Sequence, residues 1–415
     1  MIESAVDDEV LSPLRVADPY PYFAFLREKD PVHWNEQYQA WFIHRYDDVL
    51  KALKDTERFS SRRVGPVVED GSSPVGSATP DDSVYEILKQ WLVFRDAPDH
   101  TRLRRLVARG FTPRAIDLWR PRVQALVDKQ LASVAGRGEM DLIRDFAYPI
   151  PAAVIAELLG VPSEDSDLFK AWSDDIMVLV FGARGVERRH ERARRGVAEM
   201  AEYLSRLIQR LRKRPERNLI SELIAAQDSN DGLSDDEILS NSMLFLFGGH
   251  ETTTNLIGNG FRSLLRWPTE YQRLRASRAL LKPAIEEVLR YDGPSKMEVR
   301  RASSDVQLRG KQIRRGDTVY LVQAAANRDP GYFLNPDRLD VARSAAGHVG
   351  FGIGVHFCIG ASLARLEGSI ALDALVRGLT DVEIVGVERW TPTMISRGLE
   401  SLHLRYTATE LRGHG

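Results

Sequence analysis

The chain contains 415 residues (46.8 kDa) with a formal net charge of -2, and hydrophobic residues make up 43% of it. This near balance of charge excludes a strong overall attraction to nucleic acid or to an anionic membrane surface. The N-terminus is acidic, no apolar run approaches the length of a membrane span, and one cysteine cannot form an intrachain disulfide. We therefore expect a cytoplasmic protein that binds neither nucleic acid nor membrane, with a monomer as the default state.

The predicted secondary structure is mostly helical. Residues 31–47 are rich in aromatic and β-branched residues around a polar turn, which predicts a hairpin of two short strands. Residues 299–323 form a second strand-like zone. Between these zones, apolar residues recur at spacings of three and four, notably in residues 102–111, 148–160 and 197–213. The predicted fold class is therefore mainly α with small β-sheets.

A stretch rich in glycine, serine and proline, residues 62–83, predicts a loop. This loop is too short and lies too early in the chain to separate two domains. We expect a single domain over residues 1–415, in which residues 62–90 contain a mobile loop and the start of the helix that follows it.

The longest predicted helix covers residues 234–267. Ser234 and Glu237 have the spacing of a capping box at its start, and Pro268 stops it. At 1.5 Å per residue such a helix is about 50 Å long, enough to cross a whole domain.

The middle of this helix contains Gly248, Gly249 and three threonines at 252–254, all of which weaken helices. We therefore expect a local opening there, and the alternative is that the small residues only permit close packing. A zinc-protease motif starting at His250 and Glu251 is excluded, because the last threonine stands where the second histidine is required.

Cys358 lies in the segment FGIGVHFCIG, just before the helical pattern ASLARLEGSIALDAL. The free N–H groups and the dipole at a helix start favour a thiolate. Gly352, Gly354 and Gly360 let the backbone turn sharply and approach a flat ligand. These features favour a thiolate that binds iron over a cysteine that only packs in the core. A nucleophilic pair with His356 is a further alternative, although no orienting group is evident.

This segment resembles the haem-binding loop of the cytochrome P450 superfamily, Phe-x-x-Gly-x-x-x-Cys-x-Gly, and the resemblance extends over nearly the whole chain. It implies the cytochrome P450 fold, with haem b between the long central helix and the helix after the haem-ligand loop, residues 351–360. It also implies that the thiolate of Cys358 is the axial ligand of the haem iron. The other loop residues implied to contact the cofactor are Phe351, Gly352, His356 and Gly360.

The central helix matches a second pattern of the family, Ala/Gly-Gly-x-Asp/Glu-Thr-Thr/Ser, at residues 248–253. The resemblance places Gly248 beside the cofactor. It makes Thr252 the hydroxyl on the oxygen side and Glu251 the acid, and together they deliver the protons that O₂ activation consumes.

Glu287 and Arg290 match the family's Glu-x-x-Arg. Alone, such a pair is weak support, because surface helices carry many pairs with this spacing. The resemblance makes it a structural pair that braces the region behind the haem with a third partner. Arg338 in YFLNPDRL is the candidate for that partner, although Leu339 stands where Phe is commoner.

Haem carries two propionates, which need cationic or hydrogen-bonding partners when buried. His100 and Arg104 are four residues apart and so share one helical face. The resemblance assigns both to the propionates, together with Arg300 and His356. The alternative is an arginine-rich helix that is simply solvated. We prefer that interpretation for two neighbours, Arg102 and Arg105.

In the family, the substrate lies above the haem, against the central helix and under the loop at residues 62–90. We expect a mostly apolar pocket and a small lipophilic substrate. Phe247 beside the oxygen groove predicts a compact or flat substrate, unless it is a core aromatic that points elsewhere. Lys296 and Glu298 either contact a polar group of the substrate or lie at a solvated rim. The positional candidates for substrate contact are Leu244, Phe247, Gly248, Met297 and Ile395.

Electrons are expected from NAD(P)H indirectly, through a separate ferredoxin or flavodoxin. In the family, such acidic carriers commonly dock on the cysteine side. The arginines expected there, in a weak and salt-sensitive contact, are Arg105, Arg109, Arg114 and Arg365. The arginine-rich residues 184–195 are interpreted as a solvated helix face, with steering of an anionic substrate or carrier as the alternative.

The expected function is that of a haem-thiolate monooxygenase, which inserts one atom of O₂ into a mostly apolar organic substrate. A first rival is a peroxide-driven peroxygenase, for which Glu251 and Thr252 would be unnecessary. A second rival is a haem-based ligand sensor, which would bind its ligand tightly without turnover.

Overall fold

The computed structural model describes residues 8–63, 83–181, 187–228, 232–393 and 395–409. Helices form most of the fold, as the spacing of apolar residues predicts, and a π-helical turn occurs at Ile143–Ala147. The α-helices are α1 (Pro13–Ala17), α2 (Tyr20–Lys29), α3 (Tyr46–Lys54), α4 (Ser83–Leu88), α5 (Asp99–Val107), α6 (Pro113–Asp117), α7 (Arg120–Ala135), α8 (Pro149–Leu159), α9 (Ser166–Val180), α10 (Arg189–Lys213), α11 (Leu219–Ala225), α12 (Asp235–Arg266), α13 (Pro268–Ala276), α14 (Leu281–Asp292), α15 (Gln323–Ala326) and α16 (Ala361–Gly378).

The strands are short and belong to small sheets. They are β1 (Val32–Asn35), β2 (Ala40–Ile43), β3 (Phe59–Ser60), β4 (Glu139–Asp141), β5 (Glu298–Ala302), β6 (Val306–Leu308), β7 (Lys311–Ile313), β8 (Thr318–Leu321), β9 (Leu379–Ile384), β10 (Arg389–Trp390), β11 (Leu399–Ser401) and β12 (His403–Ala408). A five-stranded sheet has the order β1-β2-β8-β5-β3, and a three-stranded sheet has the order β4-β12-β9.

Both predicted strand regions are confirmed. The β1–β2 hairpin pairs Val32 with Ile43 in antiparallel register, and the second region contains β5 to β8. Strand β2 pairs with β8 in parallel, while β5 pairs with β8 antiparallel. The five-stranded sheet thus joins the N-terminal hairpin to the segment that begins with β5 at Glu298.

The central helix α12 begins where the sequence predicts, with the Ser234 side chain and the Glu237 carboxylate completing a reciprocal capping box. Its side chains are buried on most sides, and the helix packs against α8, α10, α14 and α16. Because these four helices surround α12, its position in the fold is fixed.

The predicted opening in the middle of α12 is wrong, because the helix is continuous from Asp235 to Arg266. The hydroxyl of Thr252 donates to the Gly248 carbonyl at 3.1 Å, and the hydroxyl of Thr254 donates to the His250 carbonyl at 2.9 Å. Threonines inside a helix can bond the carbonyl four residues back in this way without ending it.

Close packing between helices explains why residue 249, in the middle of α12, is a glycine. A Cβ at Gly249 would lie 2.6 Å from Cγ1 of Ile155, so α8 approaches α12 at a distance that only glycine permits. Gly248, its neighbour, has open space where its Cβ would be. The two glycines therefore serve different purposes, one in packing and one in the cavity.

Most of the predicted access loop, residues 64–82, lies outside the described residues. The helix that follows begins at Ser83 as α4. Within the described ranges, no helix is both long and apolar enough to cross a membrane.

Candidate active site

The main cavity lies between the middle of α12 and the loop that carries Cys358. Gly248 and Thr252 line it from the helix, and Cys358 and Gly360 line it from the loop. A Cβ added at Gly248 or Gly360 would meet no atom within 4 Å, so both walls are open at these glycines. The cavity therefore has the two-sided shape that a flat ligand requires.

The loop folds back on itself before α16 begins. The amide of Cys358 donates to the carbonyl of Phe351 at 2.9 Å, and Gly352 and Gly354 adopt the left-handed φ angles of +69° and +79°. A Cβ at Gly352 would also lie 2.6 Å from Oε1 of Glu298. The left-handed φ therefore favours glycine at this position, and a side chain there would also displace the Glu298 carboxylate.

The side chain of Cys358 is accessible from the cavity although protein surrounds it. Burial raises the pKa of its thiol, while the amide of Gly360 and the positive charge of Arg104 act in the opposite direction. Helix α16 starts three residues later, as predicted. A metal ion would replace the thiol proton, because metal binding to cysteine requires the thiolate.

Basic side chains gather at one end of the cavity. His100 and Arg104 line it from α5, with His356 from the loop, and the rings of His100 and His356 are 4.0 Å apart between centroids. Burial lowers the pKa of His100 to about 4 and that of His356 to about 2. The positive charges of Arg104 and Arg300 lower both pKa values further, so the protein groups at this end of the cavity favour the neutral imidazoles.

Two donors at this end have no hydrogen-bond partner among the described residues: Nε2 of His100 and Nε of Arg300, both buried. Another nitrogen of Arg300 donates to Glu298 at 2.5 Å, and Nε2 of His356 contacts the Ser61 hydroxyl at 3.0 Å. Buried donors normally have acceptors. These unpartnered nitrogens fit the propionates of haem.

Glu251 and Thr252 lie on different sides of α12. Thr252 lines the main cavity, whereas Glu251 lines a second cavity with Tyr148, Lys170 and Asp174. The resemblance joined the two side chains in one relay, but in this conformation they do not face the same space.

The carboxylate of Glu251 is held by residues outside its own turn. The hydroxyl of Ser396 donates to Oε1 of Glu251 at 3.0 Å, and the amide of Asn255 donates to the Ser396 oxygen at 3.4 Å. Burial raises the pKa of Glu251 to about 7, against the lowering effect of the Ser396 hydrogen bond. The group can therefore gain and lose a proton near neutral pH.

The predicted substrate contacts separate into three places. Leu244 and Gly248 line the main cavity, as predicted. Phe247 is buried against Trp91, at 5.3 Å between ring centroids, so the alternative of a core aromatic is correct. Met297 and Ile395 line a separate small cavity with aromatic walls. No sequence motif identifies several further residues that line the main cavity: Leu92, Val93, Ile155 and Ser295.

The Glu287–Arg290 pair is fully buried, with two contacts at 2.7 and 2.8 Å. The third side chain is Arg343, whose Nε donates to Glu287 at 3.0 Å. The expectation of Arg338 is wrong, because this residue contributes only its carbonyl, which accepts from Arg290 at 3.3 Å. Arg343 lies five residues further along the same loop.

Lys296 lies neither at a solvated rim nor in the main cavity, so both expectations for it are wrong. It is 1% exposed and donates to Asp292, at 2.5 Å, and to the Tyr20 hydroxyl, at 2.8 Å. Arg397 also donates to Asp292, at 3.0 Å. Burial lowers the pKa of Lys296 to about 7. Glu298, the other charge named with it, does line the main cavity.

Several arginines that were expected to be solvated are paired. Arg102 binds Glu237 and the Gly232 carbonyl at the start of α12. In the arginine-rich run, residues 184–186 lie outside the described residues, and Arg192 and Arg195 both bind the buried Asp175. The solvated interpretation is wrong for Arg102. Arg192 and Arg195 are solvated as expected, with side chains 40% and 61% exposed, and are also paired with Asp175.

A similar correction applies on the cysteine side. Arg365 is held by Glu286, at 2.6 and 2.8 Å, and its guanidinium lies over the ring of Phe351. Arg109 and Arg114 are exposed. Arg109 and Arg114 therefore present positive charge on this face, whereas Arg365 is paired with Glu286 and supports the haem-ligand loop through Phe351.

The cytochrome P450 family model matches residues 31–380. The chain belongs to the cytochrome P450 family. It is 41% identical over 402 residues to the cytochrome P450 monooxygenase PikC of Streptomyces venezuelae, covering 94% of this chain and 91% of that protein. It is 39% identical over 392 residues to the vitamin D(3) 25-hydroxylase of Pseudonocardia autotrophica, covering 93% of each.

Among solved structures, the myxobacterial cytochrome P450 CYP267B1 in complex with myristic acid superposes with a TM-score of 0.88 at 35% identity, covering 96% of this chain and 98% of that one. The fold prediction is thus confirmed. The chain is a cytochrome P450 monooxygenase, an enzyme class that works with haem iron and O₂.

Proposed function

We propose that this cytochrome P450 oxidises a small lipophilic substrate at haem b held by Cys358. The observation that carries this proposal is the accessible thiol of Cys358 opposite Thr252 across one cavity, with unpartnered basic groups at its end. When bound, the haem supplies the iron that activates O₂, and its electronic properties are tuned by the cysteine ligand.

The residues at the end of the cavity hold the propionates. Arg104 and Arg300 provide positive charge, while His100 and His356 provide ring N–H donors. Gly248 and Gly360 leave room for the flat ring on its two sides, and Gly352 keeps the loop close to Glu298. These residues come from four separate parts of the chain: α5, α12, β5 and the haem-ligand loop.

Thr252 and Glu251 supply protons in sequence. Glu251 titrates near neutral pH and faces the second cavity, where it exchanges its proton. In the proposed relay the Glu251 side chain rotates to the Thr252 side of α12. The Thr252 hydroxyl then exchanges its hydrogen bond to the Gly248 carbonyl for one into the main cavity. Between rotations, the Ser396 hydroxyl holds the Glu251 carboxylate by a hydrogen bond of 3.0 Å to Oε1.

Electrons come from NAD(P)H through a separate ferredoxin or flavodoxin. The exposed Arg109 and Arg114 on the cysteine side support the docking of an acidic carrier. Such a contact between exposed charges weakens with ionic strength, because salt screens charges beyond about 8 Å at physiological concentration.

The test of the haem assignment is the difference spectrum of dithionite-reduced protein with carbon monoxide. We expect a Soret band strongly red-shifted from that of histidine-ligated haem, and its loss in Cys358→Ser. An unshifted band in freshly purified wild-type protein would contradict thiolate ligation. Product formed from hydrogen peroxide alone, at the rate of the complete electron chain, would favour a peroxygenase.

A further inference from the structure

A single buried asparagine connects two walls of the main cavity. Asn241 lies in α12, one turn before the lining residue Leu244, and is 1% exposed. Leu92 and Val93 line the same cavity from a different part of the chain, a short 3₁₀ turn that precedes α5. We call residues 90–94 the wall turn.

The side-chain amide of Asn241 binds the backbone of the wall turn at two points. Its Oδ1 accepts from the Leu92 amide at 2.9 Å, and its Nδ2 donates to the Gln90 carbonyl at 3.3 Å. Nδ2 also donates to the Glu237 carbonyl, on the preceding turn of α12, at 2.8 Å. One side chain thus pairs with the wall turn as the backbone of a neighbouring strand would, while a third bond fixes its own position on the helix.

Aromatic packing also holds the wall turn against α12. Trp91 is fully buried, and its ring centroid lies 5.3 Å from that of Phe247 and 5.9 Å from that of Phe94. The indole N–H has no hydrogen-bond partner among the described residues, so this ring contributes packing alone. Apolar packing is not directional, whereas a hydrogen bond requires a narrow range of distance and angle. Asn241 therefore determines where the wall turn lies along α12.

The wall turn also forms part of the cavity mouth. Val93 lines the cavity and is 45% exposed, whereas its neighbour Leu92 is buried. Of the two walls that Asn241 joins, α12 is packed on most sides, and the wall turn is a short segment with fewer contacts to hold it. An outward shift of this turn would widen the mouth.

We propose that Asn241 is a positioning residue for substrate selection: it holds the wall turn against α12 and so limits the bulk of the molecules that enter the cavity. This inference rests on the proposed function, because it concerns the substrate of that same cavity. Asn241 is not itself one of the residues that line the cavity, so it acts through Leu92 and Val93.

Hydrogen exchange of the Leu92 amide, followed by mass spectrometry, tests the contact itself. This amide should be protected in the wild-type protein, and in Asn241→Ala it should exchange about 5-fold faster, the typical effect of one lost hydrogen bond. Rapid exchange in wild type, or an unchanged rate in Asn241→Ala, would overturn the proposal.

Asn218→Ala is the matched control for this measurement. Asn218 is also buried, and its side chain accepts from the Ser221 amide at 2.9 Å, a bond of the same kind and length. It caps α11, Leu219–Ala225, none of whose residues lines the main cavity. Asn218→Ala should therefore leave exchange at Leu92 unchanged.

The association rates of two azoles with haem-loaded protein test the consequence for selection. The slim 4-phenylimidazole and the bulky clotrimazole both bind haem iron through an imidazole nitrogen, and stopped-flow absorbance records the binding. If bulky molecules enter only when the wall turn opens, clotrimazole should bind Asn241→Ala about 5-fold faster than wild type, the same factor as for exchange. Binding of 4-phenylimidazole should be unchanged, and Asn218→Ala should match wild type for both azoles. Equal changes for the two azoles in Asn241→Ala, or none for clotrimazole, would overturn the proposal.

Haem content and the carbon monoxide spectrum, recorded on the same samples, separate the possible failures. A wild-type protein without the thiolate spectrum would contradict the proposed function, and exchange at Leu92 would still report on the contact. Thiolate spectra in both proteins with identical clotrimazole rates would overturn the role of Asn241 and leave the proposed function intact. Asn241→Leu, which fills the space of the amide with an apolar group, is a second variant and should show the same two increases.

Discussion

The carboxyl of Glu251 and the hydroxyl of Thr252, adjacent in sequence, face different cavities on two sides of one helix. Because α12 is continuous here, the backbone does not bring them together. The proposed proton relay therefore requires rotation of the Glu251 side chain, which the hydrogen bonds of Ser396 and Asn255 oppose.

Thr252→Ala should separate electron consumption from product formation. Without its hydroxyl, the main cavity loses the donor contributed by this residue, and we expect a severalfold lower yield of product per NAD(P)H, with hydrogen peroxide released instead. Haem and substrate binding should be unchanged. Thr252→Ser, which keeps the hydroxyl, is the control. An unchanged yield in Thr252→Ala would contradict the role of Thr252 as a proton donor.

Glu251 should make stability depend on pH. Its pKa is about 7 in the folded protein and 4.5 ordinarily, so between these values the folded state keeps a proton that the unfolded state has lost. The free energy of unfolding should therefore fall as pH rises through this window, by roughly 1–3 kcal/mol. Urea unfolding at pH 5 and pH 8 measures it, and Glu251→Gln should remove this part of the slope.

Ser396→Ala provides a second check on the same group. The Ser396 hydrogen bond lowers the pKa of Glu251, so its loss should raise that pKa and extend the fall in stability to higher pH. Equal pH profiles for wild type, Glu251→Gln and Ser396→Ala would show that Glu251 does not titrate in this range.

Gly248→Ala and Gly249→Ala should have opposite effects on stability. A methyl group at Gly248 meets open space, and alanine favours a helix over glycine by about 0.5–1 kcal/mol, so this variant should be slightly more stable. A methyl group at Gly249 would lie 2.6 Å from Ile155, an overlap that typically costs about 1–3 kcal/mol. Denaturant unfolding of both variants as haem-free protein tests this contrast, because the open space at Gly248 is the space proposed for the haem ring. Similar stabilities for the two would contradict the different environments of these glycines.

Local sequence patterns were sufficient for the cysteine loop, the capping box of α12 and the β1–β2 hairpin, since the neighbours in sequence determine each of them. Local patterns were insufficient where a side chain contacts residues that are distant in sequence. Lys296 packs onto Tyr20, Glu251 turns to Ser396, and neither partner has a fixed spacing that a motif could encode. The continuity of α12 was mispredicted because helix propensity ignores hydroxyl-to-carbonyl bonds and tertiary packing.

Arg343 and Arg338 provide a final contrast. The Arg343 side chain donates to Glu287 at 3.0 Å and to the Leu334 carbonyl at 2.6 Å. Arg338 is exposed and, among the residues described, contributes only its carbonyl. Arg343→Gln should therefore lower the free energy of unfolding by about 1–3 kcal/mol, because it leaves a buried carboxylate short of a charged partner. Arg338→Gln should change it by less than about 0.5 kcal/mol. Urea unfolding of the haem-loaded variants decides between them, and a larger loss in Arg338→Gln would restore Arg338 as the third partner of the buried pair.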